Sequence, residues 1–422
     1  MLLITSALAA QVRARPLADW EAMETPMDGS PEALVDLSAV RDNVAALARH
    51  VRGAAVMAVV KSDAYGHGQL PVATAALAAG AGWLGVVQTR DALALRRAGI
   101  TAPVLCLLAA PDAAHEEAIA AGIDLSAGSA GLVGQIAAAA GRAGRPARLH
   151  LKADTGMSRG GATAADWPAV VGAAREAEAA GLVQITGIWS HLACADMPGH
   201  PSIAAQLEAF RAAVAQAERA GARPEVRHLA NTPATLTLPG TWFDLVRPGG
   251  AVTGLSTLPG PLPGWLRPAM TLRARLIQAK QVPPGTGVSY GHRHVTSAAG
   301  PSWLGLVPLG YAEGVPRSAS GVAEVQVGGR RWTIAGTVCM NQFVVDFGAH
   351  QVAAGDEVIL FGPGDRGEPT AQEWADALGT LSYDVVTRFA GRIPRSYAEG
   401  ANPPEPTAYR GGSAVPERVW RG

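Results

Sequence analysis

The sequence predicts an α/β protein, an N-terminal (β/α)8 barrel followed by a mostly-β domain. Three observations carry that prediction. Between Ala54 and about Pro259, eight short apolar runs alternate with Ala-rich stretches of helical composition. The runs are almost continuously apolar, as strands are in a parallel sheet covered on both faces. After about Pro259 the alternation stops, and strand-like runs separated by Gly/Pro turns take over.

In chain order, residues 1–30 read as an N-terminal extension. Met1–Ala10 is apolar and ends in small residues like a signal peptide, but it lacks the basic n-region of one. Leu34–Leu37 reads as a strand, and Ser38 as the cap of a helix to about Val51, with Val40, Val44 and Leu47 on one face. The barrel strands begin near Ala54 (AAVMAVV), Trp83 (WLGVV), Val104 (VLCLL), Ile123 (IDLS), Arg148 (RLHLK), Ile185 (ITGIWS), Arg227 (RHLAN) and Phe243 (FDLVR). Helices are expected at Val72–Ala79, Arg90–Ala98, Ala113–Ala121, Leu132–Ala143, Trp167–Ala180 and Ala204–Ala220. Eight such units make a barrel domain over 31–262. An open doubly wound sheet is the alternative, but it usually carries G-x-G-x-x-G after its first strand, and none stands here. The β domain spans 263–398, with strands in LRARLIQAK, SWLGLVPL, VAEVQVGG, RRWTIAGTV, FVVDFG and EVILFG and one helix at Thr370–Leu378. Residues 399–422 are Pro-, Gly- and charge-rich and read as a loose tail.

Composition narrows the function. The 422-residue chain has 35 Lys+Arg against 35 Asp+Glu, a formal net charge of zero. A nucleic-acid binder normally carries a basic excess. Hydrophobic residues make up 48% and aromatic ones 5%, so a large core is built mainly from Ala, Val and Leu. No run reaches the roughly 18 apolar residues of a membrane span. Cys106, Cys194 and Cys339 are odd in number and far apart, which suits a reducing, cytoplasmic compartment rather than a disulfide framework. No His/Cys pair in the β domain has metal-ligand spacing.

Barrel enzymes do their chemistry where the strands end at their C-terminal side. The first barrel strand ends in Lys61, the fifth in Lys152, the sixth in Ser190-His191, the seventh in Asn231-Thr232 and the eighth in Arg247-Pro248-Gly249-Gly250. Polar groups therefore converge on one rim. A lysine directly after a buried run is placed to form imines, because burial lowers its pKa.

Nine segments carry a family resemblance: AVVKSDAYGHG (58–68), HLKADTGMSRGG (150–161), IWSHLACAD (188–196), HLANTPA (228–234), VRPGG (246–250), VSYG (288–291), LGYAEGVPR (309–317), GTVCMNQFVVD (336–346) and LSYDVV (381–386). In this order they resemble the motifs of bacterial alanine racemases, over about residues 31–397. The resemblance implies a pyridoxal 5'-phosphate enzyme of fold type III, interconverting L- and D-alanine and supplying D-alanine for peptidoglycan. It also implies a head-to-tail homodimer with each active site completed by the partner, and no membrane or nucleic-acid partner. By position, Lys61 resembles the lysine holding the cofactor as a Schiff base, and Tyr290 the tyrosine that reaches into the other subunit's site. Arg247 resembles the arginine on the pyridine nitrogen, and His191 the histidine beside the ring that supports the tyrosine. Tyr65, Thr232, Gly249, Gly250 and Tyr383 align with the phosphate cradle. Lys152 aligns with a lysine often carbamylated, which orients Arg159. Met340 aligns with a residue whose backbone binds the substrate carboxylate. Tyr311, Asp196 and Arg317 align with the substrate entrance.

Two bases on opposite faces suit racemisation, since one base would have to cross the plane of the reacting carbon. Lys61 serves one face and Tyr290 the other. Several positions depart from the common pattern: Asp63, Ser158, Gly250, Thr253, Thr337 in place of a frequent arginine, and Asn341 in place of aspartate. Thr337 and Asn341 alter the charge of the entrance and leave room for a broader amino-acid racemase. A non-catalytic cofactor-binding protein is the reading from another class. The β domain with Tyr290 argues against it. The cysteine motif and Gly-rich loop of basic amino-acid decarboxylases of this fold type are not found.

Overall fold

The computed structural model describes residues 30–110, 114–391 and 393–399. Met1–Ala10 and the tail beyond Glu399 lie outside them. The first strand, β1 (Glu32–Asp36), joins the C-terminal sheet rather than the barrel. A barrel domain drawn from residue 31 thus includes a strand that is hydrogen-bonded elsewhere. The helix that follows, Leu37–His50, is capped by Asp36 and not by Ser38. The Asp36 carboxylate accepts from the Ser38 and Ala39 amides at 2.9 and 3.2 Å, which seats Ser38 inside the first turn.

The barrel strands are β2 (Ala55–Val59), β3 (Trp83–Val86), β4 (Val104–Cys106), β5 (Asp124–Ala127), β6 (Ala147–Lys152), β7 (Val183–Trp189), β8 (Val226–His228) and β9 (Leu245–Val246). They pair in parallel in chain order from β2 to β8, with β9 returning to β2. Backbone bonds Asp244 N to Arg227 O (3.1 Å) and Arg247 N to Ala230 O (2.9 Å) close the ring. Helices Gln69–Ala78, Thr89–Arg97, His115–Ala120, Ala130–Ala143, Trp167–Ala179 and Pro201–Arg219 cover it. Side chains alternate along a strand. Val56, Ala58, Val60 and Leu84 belong to the main core under the helices, while Met57, Val59, Leu105 and Leu245 form a separate cluster in the barrel. Each fully buried aliphatic side chain stabilises by roughly 1.5–3 kcal/mol.

The β domain holds β10 (Met270–Arg275), β11 (Gln278–Val282), β12 (Gly287–Val288), β13 (His294–Val295), β14 (Ser302–Val307), β15 (Glu324–Val327), β16 (Arg330–Ala335), β17 (Phe343–Asp346), β18 (Glu357–Phe361) and β19 (Arg395–Ala398). Nine strands form one sheet in the order β11-β14-β17-β16-β15-β18-β10-β1-β19. LRARLIQAK is two strands, β10 and β11, not one. The expected helix is found at Ala371–Leu378, where Thr370 and Glu373 form a reciprocal capping box. A second helix, Ser382–Thr387, reaches back to the barrel rim. Among the described residues no helix is long and apolar enough to cross a membrane.

Candidate active site

Strand alternation aims the site. Lys61 shares the inward parity of Met57 and Val59, Lys152 that of His150, His191 that of Trp189, and Arg247 that of Leu245. All four meet at the C-terminal mouth of the barrel, where each is felt electrostatically by the His191 imidazole or is that imidazole.

Directly after Lys61 the chain makes a left-handed turn. Ser62, Asp63, Ala64 and Tyr65 have φ of 52°, 55°, 51° and 56°. None is glycine, and left-handed backbone costs roughly 1–2 kcal/mol per residue. The surroundings hold it. Asp63 Oδ1 accepts from Gln69 N (2.7 Å), and Arg395 of β19 pairs with Asp63 at 2.8 Å while donating to Gly66 O at 2.7 Å. The buried His67 donates from Nδ1 to the Ala64 and Tyr65 carbonyls at 3.1 and 3.0 Å. The turn thereby carries Tyr65 under the Pro248–Gly250 loop.

That loop is a cradle. A Cβ on Gly249 would fall on Tyr65 Oη, and one on Gly250 on Tyr383 Oη. The Tyr65 and Tyr383 rings meet edge to face at 5.3 Å. Thr232 Oγ1 accepts from the amides of Gly249 (2.9 Å) and Ala251 (3.5 Å). Tyr383 Oη is buried without a well-formed hydrogen bond. Burial pushes both tyrosines well above the ordinary phenol range.

Arg247 organises the floor. It is 4% exposed and donates to the Ser190 carbonyl (2.7 Å), the Leu229 carbonyl (3.1 Å), His228 Nδ1 (3.1 Å) and, at a long 3.4 Å, His191 Nδ1. Burial draws its guanidinium down to about 9, still charged at neutral pH. Burial, then the charges of Arg247, Arg159, Lys61 and Lys152, hold His191 well below the usual imidazole value. Its Nδ1 accepts from Arg247, so its single ring proton sits on Nε2, free to donate. Burial and Arg159 also lower Lys61, and burial, Arg159 and Arg247 draw Lys152 down to about 8. Trp189 lies beneath, with Lys152 Nζ at 4.5 Å and Arg247 at 4.9 Å from its ring centre. Its part, with those of His228 and Arg395, went unread in the sequence, although Trp189 and His228 stand at inward positions of their strands.

Tyr290, Tyr311 and Met340 are elsewhere. They cluster on the β domain, 72%, 45% and 57% exposed. Ser289 takes φ 61° ahead of Tyr290. Thr337 Oγ1 donates to the Tyr290 carbonyl (3.0 Å), and Ser289 Oγ to the Thr337 carbonyl (2.6 Å). Tyr311 N and Ala312 N donate to the Cys339 and Met340 carbonyls at 3.1 and 2.8 Å. Asn341 Nδ2 donates to Glu313 at 2.6 Å. Arg317 opens a short 3-10 turn beside this cluster, and Asp196 lies at the rim within electrostatic reach of Tyr383.

A barrel whose first strand ends in a half-buried lysine of lowered pKa, at a mouth that also holds a buried arginine and a hydroxyl-and-glycine cradle, defines an enzyme of imine chemistry. Models of the alanine racemase N-terminal and C-terminal domains match residues 35–257 and 269–397. The alanine racemase of Thermobifida fusca is 56% identical over 372 residues, covering 88% of this chain and 99% of that protein. That of Frankia casuarinae is 57% identical over 86% of this chain and 95% of its own. The solved alanine racemase of Streptomyces coelicolor superposes with TM-score 0.86 at 53% identity, covering 88% and 98% of the two chains. The chain belongs to the alanine racemase family, which depends on pyridoxal phosphate.

Proposed function

We propose that this protein interconverts L- and D-alanine with pyridoxal phosphate held at the barrel mouth. The observation that carries the reading is the meeting there of Lys61, Arg247 and His191 with a cradle shaped for a phosphate. The cradle passes a test of its own. Gly249 and Gly250 let the Tyr65 and Tyr383 hydroxyls come up against the loop where any Cβ would block them, and Tyr383 Oη is buried without a well-formed hydrogen bond. Lys61 Nζ would hold the cofactor, Tyr65, Thr232, Gly249, Gly250 and Tyr383 its phosphate, and Arg247 its ring nitrogen. An arginine only donates, so a ring nitrogen held there would have to be an acceptor. When bound, pyridoxal phosphate supplies the electron sink that makes the substrate Cα–H acidic.

The protein's own groups move the proton. Lys61 Nζ, lowered by burial, removes or returns it on one face. Tyr290 Oη of a second copy serves the other face, which accounts for its exposure here. His191 Nε2–H donates toward that tyrosine and favours its phenolate, whose free pKa near 10 is otherwise too high. Arg159 and the backbone of Met340 hold the substrate carboxylate, and Tyr311 narrows the entrance. Lys152 at about 8 keeps a share of neutral amine at working pH. That amine adds CO2 with loss of a proton, and the resulting carbamate would brace Arg159. The place in metabolism is cytoplasmic supply of D-alanine for peptidoglycan.

A second reading is a broader racemase, favoured by Thr337 and Asn341. Both are spent on internal hydrogen bonds and leave the entrance without the usual charges. The test is α-proton exchange in heavy water with L-alanine, L-serine, L-lysine and L-arginine, followed by chiral analysis. Exchange with D-product for alanine alone supports the first reading. Turnover of another amino acid at a comparable rate moves it to the second. No exchange with bound cofactor overturns both and leaves a binding protein.

A further inference from the structure

One buried file of polar groups crosses the barrel interior from β9 through β8 and β6 to β5. We infer that His150 and Asp124 are positioning residues for Arg247: through His228 they keep a lone pair, and not a proton, on the ring nitrogen that faces the guanidinium.

The direction follows from counting protons. Arg247 lies 3.1 Å from His228 Nδ1, and a guanidinium only donates. His228 Nδ1 therefore carries the lone pair and Nε2 the proton. His228 Nε2 lies 2.9 Å from His150 Nδ1, which must accept. The His150 proton then sits on Nε2 and goes to Asp124 Oδ2 at 3.1 Å. Each imidazole holds one proton, and every bond points from Arg247 to Asp124. A second proton on His150 would reverse the file. Its Nδ1–H would need the His228 Nε2 lone pair, pushing the His228 proton to Nδ1 against the Arg247 N–H. The Asp124 carboxylate, which only accepts, closes the file at the other end and holds both rings in the tautomer that Arg247 requires.

The file is built in. His150, His228 and Asp124 are 0%, 0% and 1% exposed by side chain or residue. Such groups are costly to bury unless each is bonded. Gly187 of β7 leaves the space that the His150 ring occupies, and the β6–β7 register shifts between Leu149 and His150. The His228 ring stacks on Trp189 at 5.8 Å with the planes 1° apart. At the far end Arg148 binds Asp124 (3.0 Å) and Glu225 (3.0 Å) near the opposite mouth of the barrel.

The consequence for the cofactor rests on the proposed role of Arg247; the direction of the file does not. The test begins with the wild-type holoenzyme labelled with [15N]histidine. Two-bond 15N–1H correlation spectra, assigned with His150→Leu and His228→Asn, are expected to show both rings protonated on Nε2 alone at neutral pH. An Nδ1-protonated or doubly protonated ring at either position overturns the inference. Next, His150→Leu and Asp124→Leu holoenzymes should lose pyridoxal phosphate on dilution at least about tenfold faster than the wild type. Asp124→Asn should stay within about threefold, because its amide oxygen still accepts from His150 while Arg148, partly exposed, turns to Glu225. Loss at the wild-type rate from both leucine variants overturns the positioning role. If Arg247→Lys also keeps its cofactor, the reading of Arg247 fails instead, and the two ring tautomers still decide the file.

Discussion

The barrel mouth and the Tyr290 surface belong to one proposed site, yet they are built in opposite ways. At the mouth Arg247 and Thr232 are buried, Lys61, Lys152 and His191 are half-buried, and a web of hydrogen bonds ties the floor together. Arg247 alone ties Ser190, Leu229, His191 and His228 together. On the β domain, Tyr290, Tyr311 and Met340 stand in the open, held by their backbones. A buried cationic cluster is costly unless its geometry is fixed within the chain. An exposed tyrosine on a braced loop costs little and gains its surroundings only from another surface. One region carries its own specification; the other, in the proposed dimer, would be half of a contact.

Complementation separates the two regions most sharply. Lys61→Ala and Tyr290→Phe should each lower racemisation by on the order of 10³-fold or more with the fold retained by circular dichroism. Mixing the two after subunit exchange should restore about a quarter of wild-type activity, because half the pairs are mixed and each mixed pair has one intact site. No recovery would mean that Tyr290 and Lys61 do not serve one site across two chains.

The cradle predicts a smaller loss. Gly249→Ala places a methyl on Tyr65 Oη and should weaken cofactor retention about tenfold, read by release of pyridoxal phosphate on dilution. Wild-type retention would remove Gly249 from the cradle.

The lysine turn predicts a pH effect. Burial draws His67 down to about 4 from 6.5. Between those values the unfolded chain binds a proton that the folded chain refuses. Stability is therefore full above about pH 6.5 and falls as pH drops toward 4, by up to about 3 kcal/mol. Urea midpoints of the wild type should show that slope, and His67→Asn, which keeps a donor for the two carbonyls, should flatten it.

The smallest effect lies on the exposed side. Thr337→Val removes the donor to the Tyr290 carbonyl and should cost about 1 kcal/mol in urea denaturation. Its kcat should fall while retention of cofactor stays at the wild-type level. A loss of cofactor instead would tie the two regions together within one chain.

Much of this was legible in the sequence. Alternation of apolar runs with Ala-rich stretches places all eight barrel strands, because a strand buried on both faces has to be continuously apolar. The residues that end the strands bring Lys61, Lys152, His191 and Arg247 to one rim without reference to any relative. The β1 strand misled because a short apolar segment does not say which sheet it pairs with. The left-handed turn at Ser62–Tyr65 carries no glycine to announce it. His150 and His228 read as ordinary letters of their strands, since a hydrogen bond between residues 78 apart leaves no local pattern.

Local periodicity specifies the order of strands and helices and the residues that stand at the strand ends. What those residues face is settled by the packing of distant segments. The closing of β9 on β2, the docking of Arg395 on the lysine turn and the single direction of the Arg247–Asp124 file depend on groups distant in the chain. Their energies exist only once the backbone has brought donor and acceptor within bonding distance.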